Sequence, residues 1–352
     1  MTRPVTAYDV ARLAGVSQSA VSRAFTPGTS ISPRMRLKVD EAAQQLNYRP
    51  NLIARSLSMR RSNTVGVVVP PMENIFFPQL LEDLSAAFNR LGYKMLLFTS
   101  SSTVSEPILE EVLHARVDAV VTISTTVSSS FAEECRRTGL PIVFLNRKPK
   151  GKGISCVTGA NTEGAAMLAS FLHAAGHKRY AFMAGLPASS TSRDREAAFT
   201  RRLHKLGHSL SARAIGNFSF REATEAAREL FSSQLKPDAL FCANDHMAIA
   251  ALQVARMEFK LQPGRDISIV GFDDSLHAAW PMFDLTTYVQ PSKLMAQKAA
   301  ELLHAQLGEK GRGIAAEIVV PGELVVRGSS RIPKRGVRGP EHRRVWSDKT
   351  PK

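Results

Sequence analysis

Cysteine is scarce. Cys135, Cys156 and Cys242 are odd in number, scattered and without paired spacing, so neither a disulfide framework nor a structural zinc site is expected. No apolar run approaches the length that spans a bilayer, and the first six residues lack an apolar signal segment. The expectation is a cytoplasmic protein with no membrane partner. Catalytic signatures are missing as well. The chain has no Gly-x-Ser-x-Gly elbow, no phosphate-loop Gly-Lys-Ser/Thr, no Gly-x-Gly-x-x-Gly and no His-Glu-x-x-His. His173 and His177 stand four apart, but Gly176 intervenes and no third ligand is spaced near them. Neither catalysis nor a cofactor or metal is expected.

What is present is length and an uneven charge. At 352 residues the chain is too long for one ordinary core, and two or three domains are expected. The net charge of +15 is concentrated at the ends: residues 1–63 hold ten Lys/Arg against three Asp/Glu, and residues 331–352 hold eight against two. The middle, residues 64–330, is nearly neutral. A basic head on a neutral body points to a polyanion partner.

Residues 1–48 read as three short helices. Thr6 can cap a helix running to Ala14, Gly15 breaks it, and Ser17 can cap a second helix through Val21 to Phe25. Ala11, Gly15 and Val21 supply the close approach, the turn and the crossing residue of a helix-turn-helix. Ser32 and Pro33 start a third helix, with Met35, Val39, Ala42, Ala43 and Leu46 on one stripe. In this geometry the second helix enters the major groove. Gln18, Ser19 and Arg23 are the base-reading candidates, since Gln pairs bidentately with adenine and Arg with guanine. Ser17 and Ser22 suit phosphates; Tyr8 has a backbone-contact and a packing reading.

Residues 49–63 form a second segment. Pro50 opens a run in which Ile53 and Leu57 lie one turn apart. So short a helix is unstable alone, which leaves an ordinary linker or a conditional helix formed on DNA.

From Thr64 the pattern changes to alternating strands and helices. Strands are expected at Thr64–Val69, Lys94–Thr99, Ala119–Ser124, Ile142–Leu145, Tyr180–Ala184, Ala239–Cys242, Ile267–Val270 and Thr286–Val289, with helices between several of them. This predicts an α/β body over 64–330, two lobes with parallel sheets, and a ligand crevice at the strand carboxyl ends. The polar and aromatic residues that follow those strands are Asn74, Phe76, Phe77, Asn146, Arg147, Arg193, Arg195, Asn244, Asp245, Asp273, Asp274 and Gln290. They suit a small polyhydroxylated ligand held by hydrogen bonds and stacking. Helix capping or core packing is the plainer reading of each.

The motifs Asp9 to Ser17 (DVARLAGVS) with Val21-Ser-Arg23, Tyr48-Arg-Pro-Asn51 with Ala54-Arg-Ser-Leu57, Arg193-Asp-Arg195, Cys242-Ala-Asn-Asp245, Gly271-Phe-Asp-Asp274 and Leu285-Thr-Thr287 with Gln290-Pro291 occur in one order. On these the chain resembles the lactose-repressor/purine-repressor (LacI) family of bacterial transcription regulators. The resemblance implies a homodimer, a periplasmic-binding-protein-like effector body of two lobes, and a hinge helix between body and head. It puts Leu57 on the leucine that wedges into the minor groove and Ile53 where paired hinges meet; with Arg55 they complete the expected DNA-contacting set. It makes Phe77 the stacking aromatic, Arg195 the ligand-gripping arginine and Asp273 the ligand-binding carboxylate, with Asn146, Asn244 and Trp280 lining the cleft. Asn161 departs from the aspartate of many relatives, and Phe283-Asp284 from a common Pro-Pro.

The expected function is sequence-specific repression at a pseudo-palindromic operator, controlled by a sugar, sugar acid or related small effector. The alternative is a small-molecule carrier or enzyme whose basic head serves association. Residues 331–352, rich in Pro, Gly and Arg and without heptads, are expected to be a disordered tail.

Overall fold

The computed structural model describes residues 5–25, 29–49, 61–99, 106–123, 129–149, 153–308, 315–340 and 343–348. The chain divides into two units, Met1–Ser62 and Asn63–Lys352.

In the first unit three helices, α1 (Ala7–Ala14), α2 (Gln18–Ala24) and α3 (Pro33–Gln45), start where the capping residues stand. Thr6 and Asp9 form a reciprocal capping box: the Thr6 amide donates to Asp9 Oδ2 at 3.0 Å, and the Asp9 amide to Thr6 Oγ1 at 3.4 Å. Ser17 Oγ accepts from the Ala20 amide and Ser32 Oγ from the Met35 amide, each at 3.3 Å. Gly15 ends α1 at φ 63°, a left-handed conformation that glycine adopts without penalty. Val10, Ala11, Val21, Ala24, Val39, Ala42 and Ala43 bury one small core, against which Phe25, Leu46 and Tyr48 pack. Met35, expected on the core stripe, is 37% exposed at the first turn of α3.

The second unit holds two sheets. One lobe contains β1 (Thr64–Val69), α4 (Phe76–Arg90), β2 (Lys94–Thr99), α5 (Glu106–His114), β3 (Ala119–Ile123), α6 (Ser129–Arg137), β4 (Ile142–Leu145) and β5 (Ser155–Gly159). The other begins with α7 (Asn161–Ala174), β6 (Tyr180–Ala184), α8 (Ser190–Lys205), β7 (Leu210–Ile215), α9 (Phe220–Ser232), β8 (Ala239–Cys242), α10 (Asp245–Met257), β9 (Ser268–Asp273) and β10 (Thr286–Val289). The chain then returns to the first lobe with α11 (Ser292–Leu307) and β11 (Glu317–Val320), and crosses back with β12 (Leu324–Val326), β13 (Val337–Arg338) and β14 (Arg344–Trp346).

The first sheet runs β11-β5-β4-β3-β1-β2, parallel throughout. Helices cover both faces, so its inner strands are near-continuous apolar runs. Val65, Val67 and Val69 face α4 and α11, whereas Val68 faces the side of α5 and α6. The second sheet runs β13-β14-β12-β10-β9-β8-β6-β7; its β10-β9-β8-β6-β7 part is parallel and the other three strands add antiparallel.

Three chain crossings therefore join the lobes, after β5, after β10 and after β11, and they lie side by side. The Ala160 amide donates to Val320 O at 3.0 Å, and the Val289 amide to Glu323 O at 2.8 Å. A Cβ on Gly159 would meet Gln290 Oε1 at 2.6 Å, so two crossings come into close contact at that glycine.

The expected strands and their intervening helices are present. Also present are β5, β7, β11, β12, α6 and α11, which strand and helix patterns had not marked. The disordered-tail expectation is corrected. Residues 331–340 and 343–348 are ordered against the second lobe: β14 pairs with β12, β13 with β14, and Trp346 is buried. Its ring meets Phe171 edge-on at 5.7 Å and its Nε1 donates to Arg335 O at 3.1 Å. An open sheet edge and one tryptophan outweigh the polar composition, which composition alone cannot register.

Candidate functional site

On α2 the candidate residues share the solvent side. Ser17, Gln18, Ser19, Ser22 and Arg23 are exposed, while Ala20, Val21 and Ala24 hold the helix to the core. Ser17 Oγ lies 2.9 Å from Ser19 Oγ, and Arg23 Nε donates to Ser19 O at 3.4 Å. Tyr8 is 64% exposed, which removes its packing reading. Ile53, Arg55 and Leu57 lie outside the described residues.

Between the two lobes of the second unit lies a cavity of about 210 Å³. Pro70, Glu73, Asn74, Phe77, Asn146 and Arg147 line it from the first lobe; Thr191, Arg195, Asn217, Phe218, Asn244 and Asp273 line it from the second. Gln290, at the crossing after β10, completes the wall. The first-lobe residues follow β1 and β4, so the strand carboxyl ends face the cleft as the parallel sheets require. The Lys148 amide donates to Ser190 Oγ at 3.0 Å, tying the loop after β4 to the first turn of α8 across the lobes.

The centre of the site is a buried charge cluster. Arg195 Nε donates to Asn161 Oδ1 at 2.8 Å, and its Nη1 donates to Ala243 O at 2.5 Å and lies 3.5 Å from Asp273 Oδ1. Its guanidinium carbon sits 3.7 Å from the Phe272 ring centre. Burial draws the Arg195 pKa down to about 10, against the pull of Asp273. Burial pushes the Asp273 carboxyl up to about 8; Arg195 opposes that rise and Asp245 adds to it. Asp273 and Asp274 hold φ at 135° and 54°, which is strained for L side chains. The turn is pinned by an ion pair of Arg327 with Asp274 at 2.8 Å.

The cavity unites Asn74, Phe77, Asn146, Arg147, Arg195, Asn244, Asp273 and Gln290 from the expected set. Asn74 and Asn244 also do plainer local work: Asn74 Oδ1 accepts from the Phe76 amide at 3.1 Å, and Asn244 caps α10 by accepting from the Met247 amide at 3.0 Å. Two expectations are corrected. Asp245 lies behind the wall, accepting from the Ser275 amide at 2.7 Å and from Thr287 Oγ1 at 2.5 Å, and burial lifts its pKa to about 6. Trp280 is not a lining residue; it stacks on Phe283 at 6.3 Å and is 43% exposed. Asn217 and Phe218 were missed because Leu210–Ile215 was not read as a strand; with β7 recognised, they are its strand-end residues. Both hold positive φ, 51° and 61°, and a Cβ on Gly185 would clash with the Phe218 ring.

Comparison with known proteins agrees with this geometry. The model for bacterial regulatory proteins of the lacI family matches residues 6–51, and that for the periplasmic binding protein-like domain matches residues 169–330. The chain thus carries a lacI-type DNA-binding domain and a periplasmic-binding-protein-like domain. It is 29% identical over 304 residues to catabolite control protein A of Priestia megaterium, covering 85% of this chain and 91% of that protein. A crystal structure of the lac repressor dimer bound to operator and the anti-inducer ONPF matches with a TM-score of 0.84 at 27% identity, over 94% of this chain and all of that one. The transcriptional regulator CelR in complex with cellobiose matches with a TM-score of 0.71 at 28% identity, over 93% of this chain and all of that one. The lacI-type match assigns the helical unit to DNA binding and the periplasmic-binding-protein-like match the two-lobed unit to effector binding.

Proposed function

We propose that this protein is a homodimeric transcriptional repressor that binds a pseudo-palindromic operator through α2 and releases or tightens on it when a small polyhydroxylated effector occupies the interlobe cavity. The observation that carries this reading is the cavity itself: its walls come from both lobes, and its wall residue Gln290 belongs to a crossing between them. A ligand touching both walls favours one lobe angle over another, and only such differential contact can shift the equilibrium. The operator-bound lac repressor dimer and the cellobiose-bound CelR support DNA and a sugar as the two partners.

In this reading Gln18, Ser19 and Arg23 contact base edges, while Ser17, Ser22 and Tyr8 contact phosphates. Residues 49–63 couple head to body, with Ile53, Arg55 and Leu57 at the DNA. In the cleft, the Phe77 and Phe218 faces take the apolar side of a sugar ring, and Asp273, Arg195, Asn146, Asn244 and Gln290 take its hydroxyls. Apolar side chains exposed on β2 (Leu96, Leu97) and at or near the 3₁₀ turn Leu276–Ala279 (Leu276, Met282) are surface that pairing of two copies can cover. No described helix is long and apolar enough to cross a membrane. The protein binds its small molecule without transforming it.

The test is binding of the full-length protein to the promoter region beside its own gene, with and without a panel of sugars. A sequence-specific shift that one sugar changes supports the proposal. Binding that depends on salt alone, with no response to any small molecule, overturns the regulated part of it. Linkage demands that operator alter effector affinity by the same factor.

A further inference from the structure

Four charged side chains line the cavity: Glu73, Arg147, Arg195 and Asp273. Arg195 and Asp273 answer each other at 3.5 Å, and Glu73 is exposed. Arg147 is left over. It is 8% exposed, and its Nε and Nη1 have no hydrogen-bond partner. No carboxylate among the described residues lies within ion-pair distance of it. Burial, and then the like charge of Arg193, draws its pKa down to about 10, with nothing pulling the other way. An unanswered buried guanidinium is costly, and this one sits on the wall of a ligand cavity.

A second feature meets it there. α8 starts at Ser190 and runs sixteen residues. Its N-cap, Ser189, makes no side-chain cap bond, because its hydroxyl is engaged with Thr191 Oγ1 at 2.7 Å. Thr191 lines the same cavity, and the Lys148–Ser190 bond brings the chain next to Arg147 onto that first turn. A helix N-terminus carries partial positive charge and amide donors, which suit an anion.

We infer that the effector carries an anionic group, a carboxylate or a phosphate, bound between Arg147 and the first turn of α8. The inference rests on the cavity being the effector site and names the class of effector: a sugar acid or sugar phosphate. Its polyol part lies toward Arg195 and Asp273, and its charge toward Arg147. The anion supplies the missing counter-charge, so binding relieves a destabilised apo site, and a neutral sugar of the same shape leaves Arg147 unanswered.

The experiment follows thermal unfolding of the full-length protein during titration with inorganic phosphate, and separately with acetate, at constant ionic strength. Wild type is compared with Arg147→Gln. The basic head also attracts anions, so the difference between the two proteins is read. Wild type should be stabilised saturably by at least one ion, and Arg147→Gln should need about tenfold more or fail to respond. Without added anion, Arg147→Gln should unfold at the same or a higher temperature than wild type, since it removes an uncompensated charge. A response to phosphate alone assigns a phosphorylated effector, and one to acetate alone a carboxylate. Identical responses of the two proteins, or no saturable response of wild type, overturn the inference. A wild type that ignores both ions yet leaves operator with a neutral sugar removes this inference and keeps the regulator. Ion binding at Arg147 without operator control by any small molecule keeps the anion site and overturns the effector reading on which the inference rests.

Discussion

Gln290 holds Asp273 twice: its Nε2 donates to the carboxylate Oδ1 at 2.6 Å, and its backbone amide donates to the Asp273 carbonyl at 3.0 Å. The carboxylate at the centre of the cleft is thus tied directly to a crossing between lobes, and whatever moves one moves the other. Asp273→Asn keeps an acceptor for Gln290 but removes the ionisable group. Operator affinity of the free protein should be unchanged, while the response to effector falls by an order of magnitude or more. A titration of operator binding at fixed effector checks it; an intact response puts the effector elsewhere.

Arg195 is 2% exposed and answers both Asn161 and Asp273. Arg195→Ala leaves Asp273 buried without its cation, a loss of roughly 3 kcal/mol in denaturant unfolding. Arg195→Lys should recover only part of it, because one ammonium cannot reach Asn161, Ala243 O and Asp273 in the same plane.

On the head, Arg23 is exposed and its removal disturbs no core residue. Arg23→Ala should relax base preference at one operator position by about 1–3 kcal/mol and leave the unfolding midpoint unchanged. Selection of binding sites from a randomised operator reads this out. Unaltered preference would take Arg23 out of the reading set.

His177 is buried, with Nε2 2.7 Å from Ser268 Oγ and Nδ1 3.5 Å from Asp238. Burial, and then Arg331, lowers its pKa to about 4. The unfolded chain takes up this proton near pH 6.5 and the folded one only near 4. Stability present above 6.5 is therefore lost as pH falls through that window, by up to roughly 3 kcal/mol. Asp245 and Asp273, whose pKa values are raised to about 6 and 8, tilt stability the other way over pH 3.8–8. The measurement is the difference between wild type and His177→Gln, whose profile should be flatter on the acid side.

Trp346 tests the ordered tail. Trp346→Ala should destabilise the body by roughly 3 kcal/mol through the cavity it leaves beside Phe171. Deletion of residues 331–352 should do at least as much and expose the β12 edge to association. A deletion neutral for both would return the tail to its composition-based reading.

The head was legible almost residue by residue, since Thr6, Gly15, Ser17 and Ser32 act through local hydrogen bonds and φ preferences that sequence spacing reveals. The parallel strands were legible where both faces are buried, as in Thr64–Val69. β7 was not, because Leu210–Ile215 is an edge strand whose polar and small residues break the apolar run, and Phe218 went with it. Asp245 shows the opposite limit. The strand-end rule places it at the cleft, and only the packing of Ser275 and Thr287 against its two oxygens turns it away.

The three crossings also set an order of synthesis. The first lobe takes its α11 and β11 from residues 292–320, after almost all of the second lobe has been made, and the second lobe takes its closing strands from residues 324–346. A nascent chain on the ribosome can complete the helical head within its first fifty residues, yet the first lobe cannot close before residue 320 emerges, nor the second before residue 346. The DNA-binding head is therefore complete before the effector-binding body exists.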